Sequence, residues 1–227
     1  MNISGFQKLT LLDYPNKVAC ILFTQGCNYK CSYCQNSGLL KTCKKSTIPL
    51  NEIFNYLDKR KNVLDGIVIS GGEPTIQKDL INFICEIKKY KLLVKLDTNG
   101  SNPKVLKELI DKNLIDYVAM DIKDDFVSYS DVTKTNVNIE NIKESINILK
   151  ESKIDHEFRT TIIKNFHNIN KIKKIYKYLG EKEKYCLQNF KDSDGVLDKS
   201  LFSFSDIELK NIKESFKEFP NLIIRGI

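Results

Sequence analysis

An apolar segment and a cysteine-rich loop follow one another in residues 18–34, which read VACILFTQGCNYKCSYC. The length and β-branched content of residues 18–24 predict a buried strand. Directly after it, Cys27, Cys31 and Cys34 form the spacing Cys-x3-Cys-x2-Cys. Because a full protein ligand set for a four-iron cluster is four thiolates, three neighbouring cysteines leave one iron free. The spacing therefore favours a cluster that carries out chemistry over one that only relays electrons.

A disulfide scaffold, a zinc site and chance are the competing explanations of this spacing. The chain has seven cysteines, an odd number, and we expect no signal peptide, which argues against a disulfide scaffold. Structural zinc sites use four ligands, commonly as two separated pairs. The nearest candidate for a fourth ligand, Cys43, gives no second pair. The open four-iron cluster is therefore favoured.

Apolar segments and amphipathic helical patterns alternate along the 227 residues. Such alternation indicates parallel β/α repeats. We expect a single-domain α/β fold, a partial (β/α)6 TIM-type barrel, since a complete barrel needs eight repeats. A doubly wound sheet is the alternative, but no Gly-x-Gly-x-x-Gly follows the first strand. Strands are predicted at 18–24, 66–70, 93–96, 117–120, 157–163 and 185–190, and helices at 50–61, 76–90, 102–112, 138–152, 168–180 and 206–218.

The expected domain spans residues 1–227 and has three parts. Residues 1–17 form an N-terminal segment, residues 18–190 form the six repeats with the site, and residues 191–227 form a C-terminal helix and tail. Residues 222–225 are expected to be either a short edge strand or part of that tail.

Polar motifs follow three of the predicted strands directly: GGEP at 71–74, DTNG at 97–100 and DIK at 121–123. Two glycines let a backbone approach a ligand closely, and Glu73 offers an acceptor to an ammonium group. Ordinary turns are the alternative explanation of the first two motifs. However, charges just past an apolar strand are costly if they are buried and unpaired. We therefore expect these side chains to face a ligand or each other.

With these motifs the chain resembles the radical S-adenosylmethionine (SAM) superfamily. Its members share the cysteine spacing, with an aromatic residue before the last cysteine, here Tyr33, and GGEP matches their SAM-amino motif. The resemblance implies a 4Fe-4S cluster whose unique iron is chelated by the amino and carboxylate groups of SAM. It also implies that one electron from the reduced cluster cleaves SAM to methionine and a 5′-deoxyadenosyl radical.

The DTNG and DIK motifs resemble those of the glycyl radical enzyme activases, such as pyruvate formate-lyase activating enzyme. The resemblance implies that these residues contact SAM or a monovalent cation near Asp97 and Asp121. Arg159 is either a core-rim salt bridge or a contact to the SAM carboxylate, which suits a guanidinium. Pyruvate formate-lyase activating enzyme, the prototype of these activases, has a SAM-binding histidine on its sixth strand. This chain has no histidine there, and Gln188 or Asn189 is the candidate to replace it. The expected SAM-binding residues are Tyr33, Gly71, Gly72, Glu73, Pro74, Asp97, Thr98, Asn99, Asp121, Lys123 and Arg159.

The run FQKLTLLDYP, residues 6–15, is similar to the start of the activating proteins of anaerobic ribonucleoside-triphosphate reductase. One branch of that family shares the Leu-x-Asp-Tyr-Pro segment, and the resemblance covers nearly the whole chain. Asn16 stands where the branch usually has glycine, but asparagine also tolerates turn geometry. The resemblance implies abstraction of a hydrogen atom from a glycine α-carbon in a glycyl radical enzyme. The sequence does not name that partner.

The chain carries 36 Lys and Arg against 29 Asp and Glu, a net charge of +7. Solvated helix faces explain much of this charge. A basic surface also favours association with an acidic reductant such as flavodoxin or ferredoxin. No nucleic-acid motif and no apolar run of transmembrane length occur in the sequence. We therefore expect a cytoplasmic protein that binds neither nucleic acid nor membrane.

Two other functions stay open at this level. A small-molecule radical SAM enzyme of the carboxy-deazaguanine synthase type would need a closed pocket with dedicated polar residues. An electron carrier or iron sensor would leave the GGEP motif without a purpose. His156 and His167 are isolated and expected to be structural. The four remaining cysteines are scattered along the sequence: Cys20, Cys43, Cys85 and Cys186. They form no second cluster motif, so we expect only one cluster.

Overall fold

The computed structural model describes residues 1–40 and 47–225. Within these residues, eight strands form one sheet whose order in space follows their order in the chain. The first pair is antiparallel and all later pairs are parallel. The strands are β1 (Ile3–Thr10), β2 (Ala19–Thr24), β3 (Gly66–Gly71), β4 (Leu93–Thr98), β5 (Tyr117–Asp121), β6 (Asp155–Ile162), β7 (Tyr185–Asn189) and β8 (Leu222–Arg225).

Helices follow each strand from β2 to β7. In the helix Ile169–Leu179, the buried residues Ile172, Ile175, Tyr176 and Leu179 recur at helical spacing and form one apolar face. None of the described helices combines the length and apolar character that crossing a membrane requires. The helices are α1 (Leu50–Arg60), α2 (Leu80–Lys88), α3 (Pro103–Asp111), α4 (Tyr129–Thr133), α5 (Ile139–Glu151), α6 (Ile169–Leu179) and α7 (Asp206–Ser215).

The predicted α/β fold with parallel repeats is confirmed, and strands β2 to β7 are its six repeats. The structure adds β1, which pairs antiparallel with β2, inside the predicted N-terminal segment. Most of its residues are partly or fully exposed, so it lacks the apolar pattern that marks the other strands. Residues 222–225 form the edge strand β8. The predicted helix 76–90 begins only at Leu80, because Pro74–Ile76 form a separate 3-10 turn.

The parallel register brings the polar motifs to one edge of the sheet. Thr24 at the end of β2 lies opposite Gly71 at the end of β3. Asp121 at the end of β5 lies opposite Arg159 on β6. Since carboxyl ends of parallel strands share an edge, the cysteine loop and the polar motifs surround a common space.

The opposite end of the barrel is closed by Tyr14. Its ring is buried, lies 6.0 Å from the ring of Tyr117 and packs against Gly66. Asn16, two residues later, has a φ of 58°, a left-handed conformation that asparagine adopts more readily than most residues. The Leu-x-Asp-Tyr-Pro segment therefore has an architectural role at the end of the barrel remote from the polar motifs.

An ion pair between a buried carboxylate and a partly exposed arginine ties the last strand to the sheet. Glu157 on β6 is 1% exposed and accepts two hydrogen bonds from Arg225 on β8, at 3.1 and 2.7 Å. Lys184 lies 3.2 Å from the same carboxylate. Burial alone would raise the pKa of Glu157, but the bonds and charge of Arg225, with the charges of Arg159 and Lys184, lower it to about 2.

We predict that Arg225→Met lowers the free energy of unfolding by about 3 kcal/mol at pH 7, because it removes one partner of a buried charge. The pKa of Glu157 is 4.5 in the unfolded chain and lower in the folded protein, so its ion pair stabilises the protein fully at pH values above 4.5. This stabilisation is lost as the pH falls towards the folded-state pKa of about 2. Urea unfolding of apoprotein, followed by circular dichroism, should show the difference at pH 7 and its decline below pH 4.5.

Lys217→Met is the control, since its pair with Glu214 is exposed on both sides. Its unfolding curve should match that of the wild type. Equal stability of Arg225→Met and wild type at pH 7 would contradict the role given to this ion pair.

Candidate active site

A pocket of about 250 Å³ lies at the carboxyl ends of the parallel strands. The structure brings nearly all the predicted site residues to its walls: Cys27, Cys31, Tyr33, Cys34, Gly71, Gly72, Glu73, Asp97, Thr98, Asn99, Asp121, Lys123 and Arg159. Pro74 is the exception, since it is buried at the start of the 3-10 turn behind the pocket. The motifs therefore form one site.

The pocket also has residues that were not predicted: Tyr29, Gln35, Asn36, Leu40, Ser70 and Thr161. Tyr29 lies inside the cysteine loop and Ser70 lies directly before GGEP. Their closeness to these motifs in the sequence is the feature from which their place in the pocket could have been predicted. Of the two candidates for the missing histidine, Gln188 lines the pocket. The side chain of Asn189 instead makes two hydrogen bonds with the backbone of Phe204.

The cysteine loop is held by backbone contacts. The amide of Lys30 donates to the carbonyl of Thr133 at 2.9 Å, and the amide of Cys34 donates to the carbonyl of Cys31 at 3.0 Å. The Cys31 side chain is buried, while those of Cys27 and Cys34 are half-buried. Burial raises the pKa of Cys27 to about 12 and raises the pKa of the other two thiols. A bound metal would therefore have to displace the thiol protons.

A 4Fe-4S cluster fits this donor set. The cysteines of the described residues form no disulfide, which removes the disulfide alternative there, and Cys43 lies outside those residues. In the same part of the chain, no three His, Cys, Asp or Glu side chains are arranged to share one metal ion. In a cubane each thiolate binds its own iron, so the three sulfur atoms do not need to meet at one point.

The segment that follows β7 covers the cysteine loop from outside. The amide of Asp198 donates to the carbonyl of Ser32 at 3.0 Å, and the side chain of Gln35 donates to the carbonyl of Lys191 at 2.8 Å. A Cβ on Gly195 would come within 1.9 Å of the Gln35 carbonyl oxygen. The segment after β7 therefore lies in backbone contact with the cysteine loop.

The two glycines of GGEP pack against the start of the cysteine loop. Gly71 has a φ of 113°, and a Cβ there would lie 2.3 Å from the backbone nitrogen of Thr24. A Cβ on Gly72 would lie 2.0 Å from the carbonyl oxygen of Gly26. That same oxygen accepts a hydrogen bond from the amide of Glu73 at 2.9 Å. The end of β3 therefore fixes the position from which the cysteine loop departs.

We predict that Gly72→Ala lowers iron content after anaerobic reconstitution to less than about half of the wild-type value, because the new Cβ displaces the loop. Gly38→Ala is the matched control, since a Cβ there meets nothing within 4 Å. It should keep the wild-type iron content. Full iron content in Gly72→Ala, measured by a colorimetric iron assay, would contradict this account of the glycine pair.

Glu73 joins the ends of β3 and β4. Its carboxylate is buried, and one oxygen accepts from the amide of Thr75 at 3.1 Å and from the hydroxyls of Thr75 and Thr98 at 2.6 and 2.7 Å. The other oxygen accepts from the amide of Asn99 at 2.7 Å. Burial raises the pKa of Glu73, and these hydrogen bonds oppose the shift. The second oxygen retains capacity to accept a further donor.

Acidic and basic side chains alternate along the pocket wall. Asp121 accepts from Arg159 at 2.8 Å and from Lys123 at 3.1 Å. Arg159 also lies 3.5 Å from Asp97, which accepts from the buried Lys95 at 2.6 Å. Burial would raise the pKa of Asp121, but Arg159 and Lys123 lower it to about 2. The row of three cations and two carboxylates has an excess of positive charge that suits an anionic ligand group.

The two histidines have structural partners, as expected. His167 is buried; its Nδ1 accepts from the amide of Ile163 at 3.0 Å, and its Nε2 donates to the carbonyl of Lys123 at 3.1 Å. It therefore supports the backbone beside the charged row. His156 bonds to Glu183 at 2.8 Å, away from the pocket.

Comparison with known proteins identifies the family. Residues 21–179 match the family described as the Radical SAM superfamily. A Methanocaldococcus jannaschii protein named as a glycyl-radical enzyme activating enzyme is 36% identical over 99% of this chain and 96% of its own length. The pyruvate formate-lyase-activating enzyme of Clostridium pasteurianum is 27% identical over 78% of this chain and 83% of its own length.

A solved structure agrees with the fold. The radical SAM methyltransferase from Sphaerobacter thermophilus superposes with a TM-score of 0.74 at 13% identity, over 96% of this chain and 68% of that one. Membership of the superfamily implies a 4Fe-4S cluster and SAM as cofactors. This protein belongs to the radical SAM superfamily and, within it, to the glycyl-radical enzyme activating enzymes.

Proposed function

We propose that this protein activates an anaerobic ribonucleotide reductase by abstracting a hydrogen atom from a glycine α-carbon of that partner. The observation that carries the proposal is the convergence of three cysteines, a glycine pair and a charged row on one open pocket. Full-length similarity to a protein named as a glycyl-radical enzyme activating enzyme supports the reaction class. The assignment of the reductase rests on the Leu-x-Asp-Tyr-Pro resemblance.

In this proposal, Cys27, Cys31 and Cys34 hold the cluster. When bound, the cluster supplies one electron for reductive cleavage of SAM at its sulfonium. The loop after β3, which includes Glu73, lines the space beside the cysteines and would accept the ammonium group of SAM. On the other side, Arg159 and Lys123 would bind its carboxylate, since guanidinium and ammonium groups pair strongly with carboxylates.

The remaining pocket residues would orient SAM. Tyr33 follows Ser32 in the cysteine loop, and the Lys123 ammonium lies 5.7 Å from the centre of its ring. Gln188 stands at the end of β7 and provides an amide where the prototype has a histidine. Thr98 is held by Glu73 rather than aimed at a ligand, so we assign it a positioning role.

The physiological setting follows from the same proposal. The net charge of +7 favours docking of an acidic electron donor, for which flavodoxin and ferredoxin are the candidates. A cytoplasmic location suits a partner that reduces ribonucleotides. A pocket open to the strand ends suits a glycine on a loop of a macromolecular substrate.

We predict that Arg159→Met weakens SAM binding by about ten- to a hundredfold, because a hydrogen bond to a charged group contributes about 1.5 to 3 kcal/mol. Isothermal titration of reconstituted protein under anaerobic conditions measures the affinity, and the iron content should stay at the wild-type value. Arg60→Met, on the exposed end of α1, is the control and should bind SAM normally. Unchanged affinity in Arg159→Met would remove this residue from the SAM site.

The activation itself has a direct test. With SAM, a reductant and the cognate reductase, the protein should produce a glycyl doublet in electron paramagnetic resonance, because the captodative glycine α-radical persists. If the partner is deuterated at the glycine α-carbon, deuterium should appear in 5′-deoxyadenosine. Cys31→Ala should give neither signal.

Two outcomes would overturn the proposal in different ways. A glycyl doublet on another glycyl radical enzyme, but not on the reductase, would keep the reaction class and change the partner. Deuterium transfer from a small heterocycle, with no protein radical, would favour the carboxy-deazaguanine synthase type of enzyme.

A further inference from the structure

Lys95 is a buried lysine directly beneath the pocket. It lies on β4 two residues before Asp97, so both side chains point to the same face of the strand. Its side chain is 2% exposed, and its ammonium group lies 2.6 Å from one oxygen of Asp97 and 5.9 Å from the centre of the Tyr117 ring. A lysine is buried to this extent only when its charge has a partner. Here the partner belongs to the pocket wall.

The carboxylate oxygens of Asp97 and Asp121 all have protein donors. One Asp97 oxygen faces Lys95, and the other accepts from the hydroxyl of Ser70 at 3.0 Å and lies 3.5 Å from Arg159. The oxygens of Asp121 face Arg159 at 2.8 Å and Lys123 at 3.1 Å. Two negative charges are therefore surrounded by three positive ones.

A monovalent cation does not fit this arrangement. Sodium or potassium needs oxygen lone pairs that are free to coordinate it, and here ammonium and guanidinium groups occupy the positions facing both carboxylates. A metal cation between Asp97 and Asp121 would also lie close to like charges in a poorly solvated space. The resemblance to the activases led us to expect such a cation, and the residues present argue against it.

We propose that the Lys95 ammonium takes the place of the monovalent cation, so that the pocket binds SAM independently of sodium and potassium. This inference rests on the SAM site of the proposed function. Lys95 acts as a positioning residue: its fixed charge orients Asp97, which in turn holds Arg159 towards the ligand space. Because this charge is covalently attached, it cannot dissociate when the ionic composition changes.

The first experiment uses the reconstituted wild-type enzyme. SAM affinity is measured by isothermal titration in buffers of equal ionic strength whose only monovalent cation is either potassium or tetramethylammonium, at about 100 mM. The two affinities should agree within about twofold. Thallium(I), a potassium mimic, should show no saturable binding by thallium-205 nuclear magnetic resonance with or without SAM. Potassium dependence of about tenfold or more, or a saturable thallium site, would overturn the inference.

The second experiment creates the cation site. Lys95→Met keeps the length of the side chain and removes its charge, so SAM affinity in tetramethylammonium should fall by about tenfold. Replacing tetramethylammonium by potassium should raise the SAM affinity of this variant by about threefold or more, which is half of the tenfold loss on a logarithmic scale. Thallium should now bind saturably. A merely structural role for Lys95 would produce a loss that potassium does not restore, and that result would overturn the inference.

Lys88→Met is the matched control, because Lys88 makes a 2.7 Å ion pair with Asp116 outside the pocket. It should bind SAM like the wild type in both buffers. If Lys95→Met fails to fold, the two wild-type measurements still decide the question. If SAM binds equally well in both buffers but no glycyl radical forms, this inference stands and the proposed partner is contradicted. If SAM binds in neither buffer, both this inference and the proposed function are overturned.

Discussion

The site depends on the absence of side chains where β3 meets the cysteine loop. The backbones of Gly72 and Gly26 approach so closely that even a methyl group would overlap the Gly26 carbonyl. The same carbonyl accepts the amide of Glu73, so the motif that bounds one side of the pocket is bonded to the loop that carries the cysteines. The cysteine loop and the GGEP loop are therefore positioned as one unit. Displacement at this contact would move both.

Five charged groups lie beside this unit, of which Lys95 is buried and the other four are partly buried, and they are accommodated because they alternate in sign. The order Lys95, Asp97, Arg159, Asp121, Lys123 gives each carboxylate two cationic neighbours, and Arg159 bridges the two carboxylates. Unpaired, any of these groups would destabilise the folded state by its desolvation. Paired, they form a wall with one excess positive charge. The wall thus contributes to stability, and its excess charge is available to an anionic ligand.

The sequence predicted the repeats and the site because both have local signals. Strand ends followed by glycines or charges mark the pocket, and periodic apolar residues mark the helices. β1 was missed because it is a half-exposed edge strand without apolar alternation. Lys95 and Glu157 lie in predicted strands, but their burial and pairing were not predicted. Asp97 follows Lys95 by two residues on the same strand, and nothing in the sequence marks that pair as buried. Arg225 on β8 becomes a neighbour of Glu157 only when the strands assemble into the sheet. The choice of Gln188 over Asn189 likewise required the position of Phe204.

The pocket and the Leu-x-Asp-Tyr-Pro segment lie at opposite ends of the barrel. The pocket residues lie at the carboxyl ends of the strands, whereas the Leu-x-Asp-Tyr-Pro segment lies at the other end, where Tyr14 fills the barrel. A partner glycine that enters the pocket therefore does not meet the segment on which the reductase assignment rests. In this chain the segment closes the end of the barrel through Tyr14, which is a structural role. Under the proposed function, the partner would instead contact the loops that follow the strands, because these loops surround the pocket.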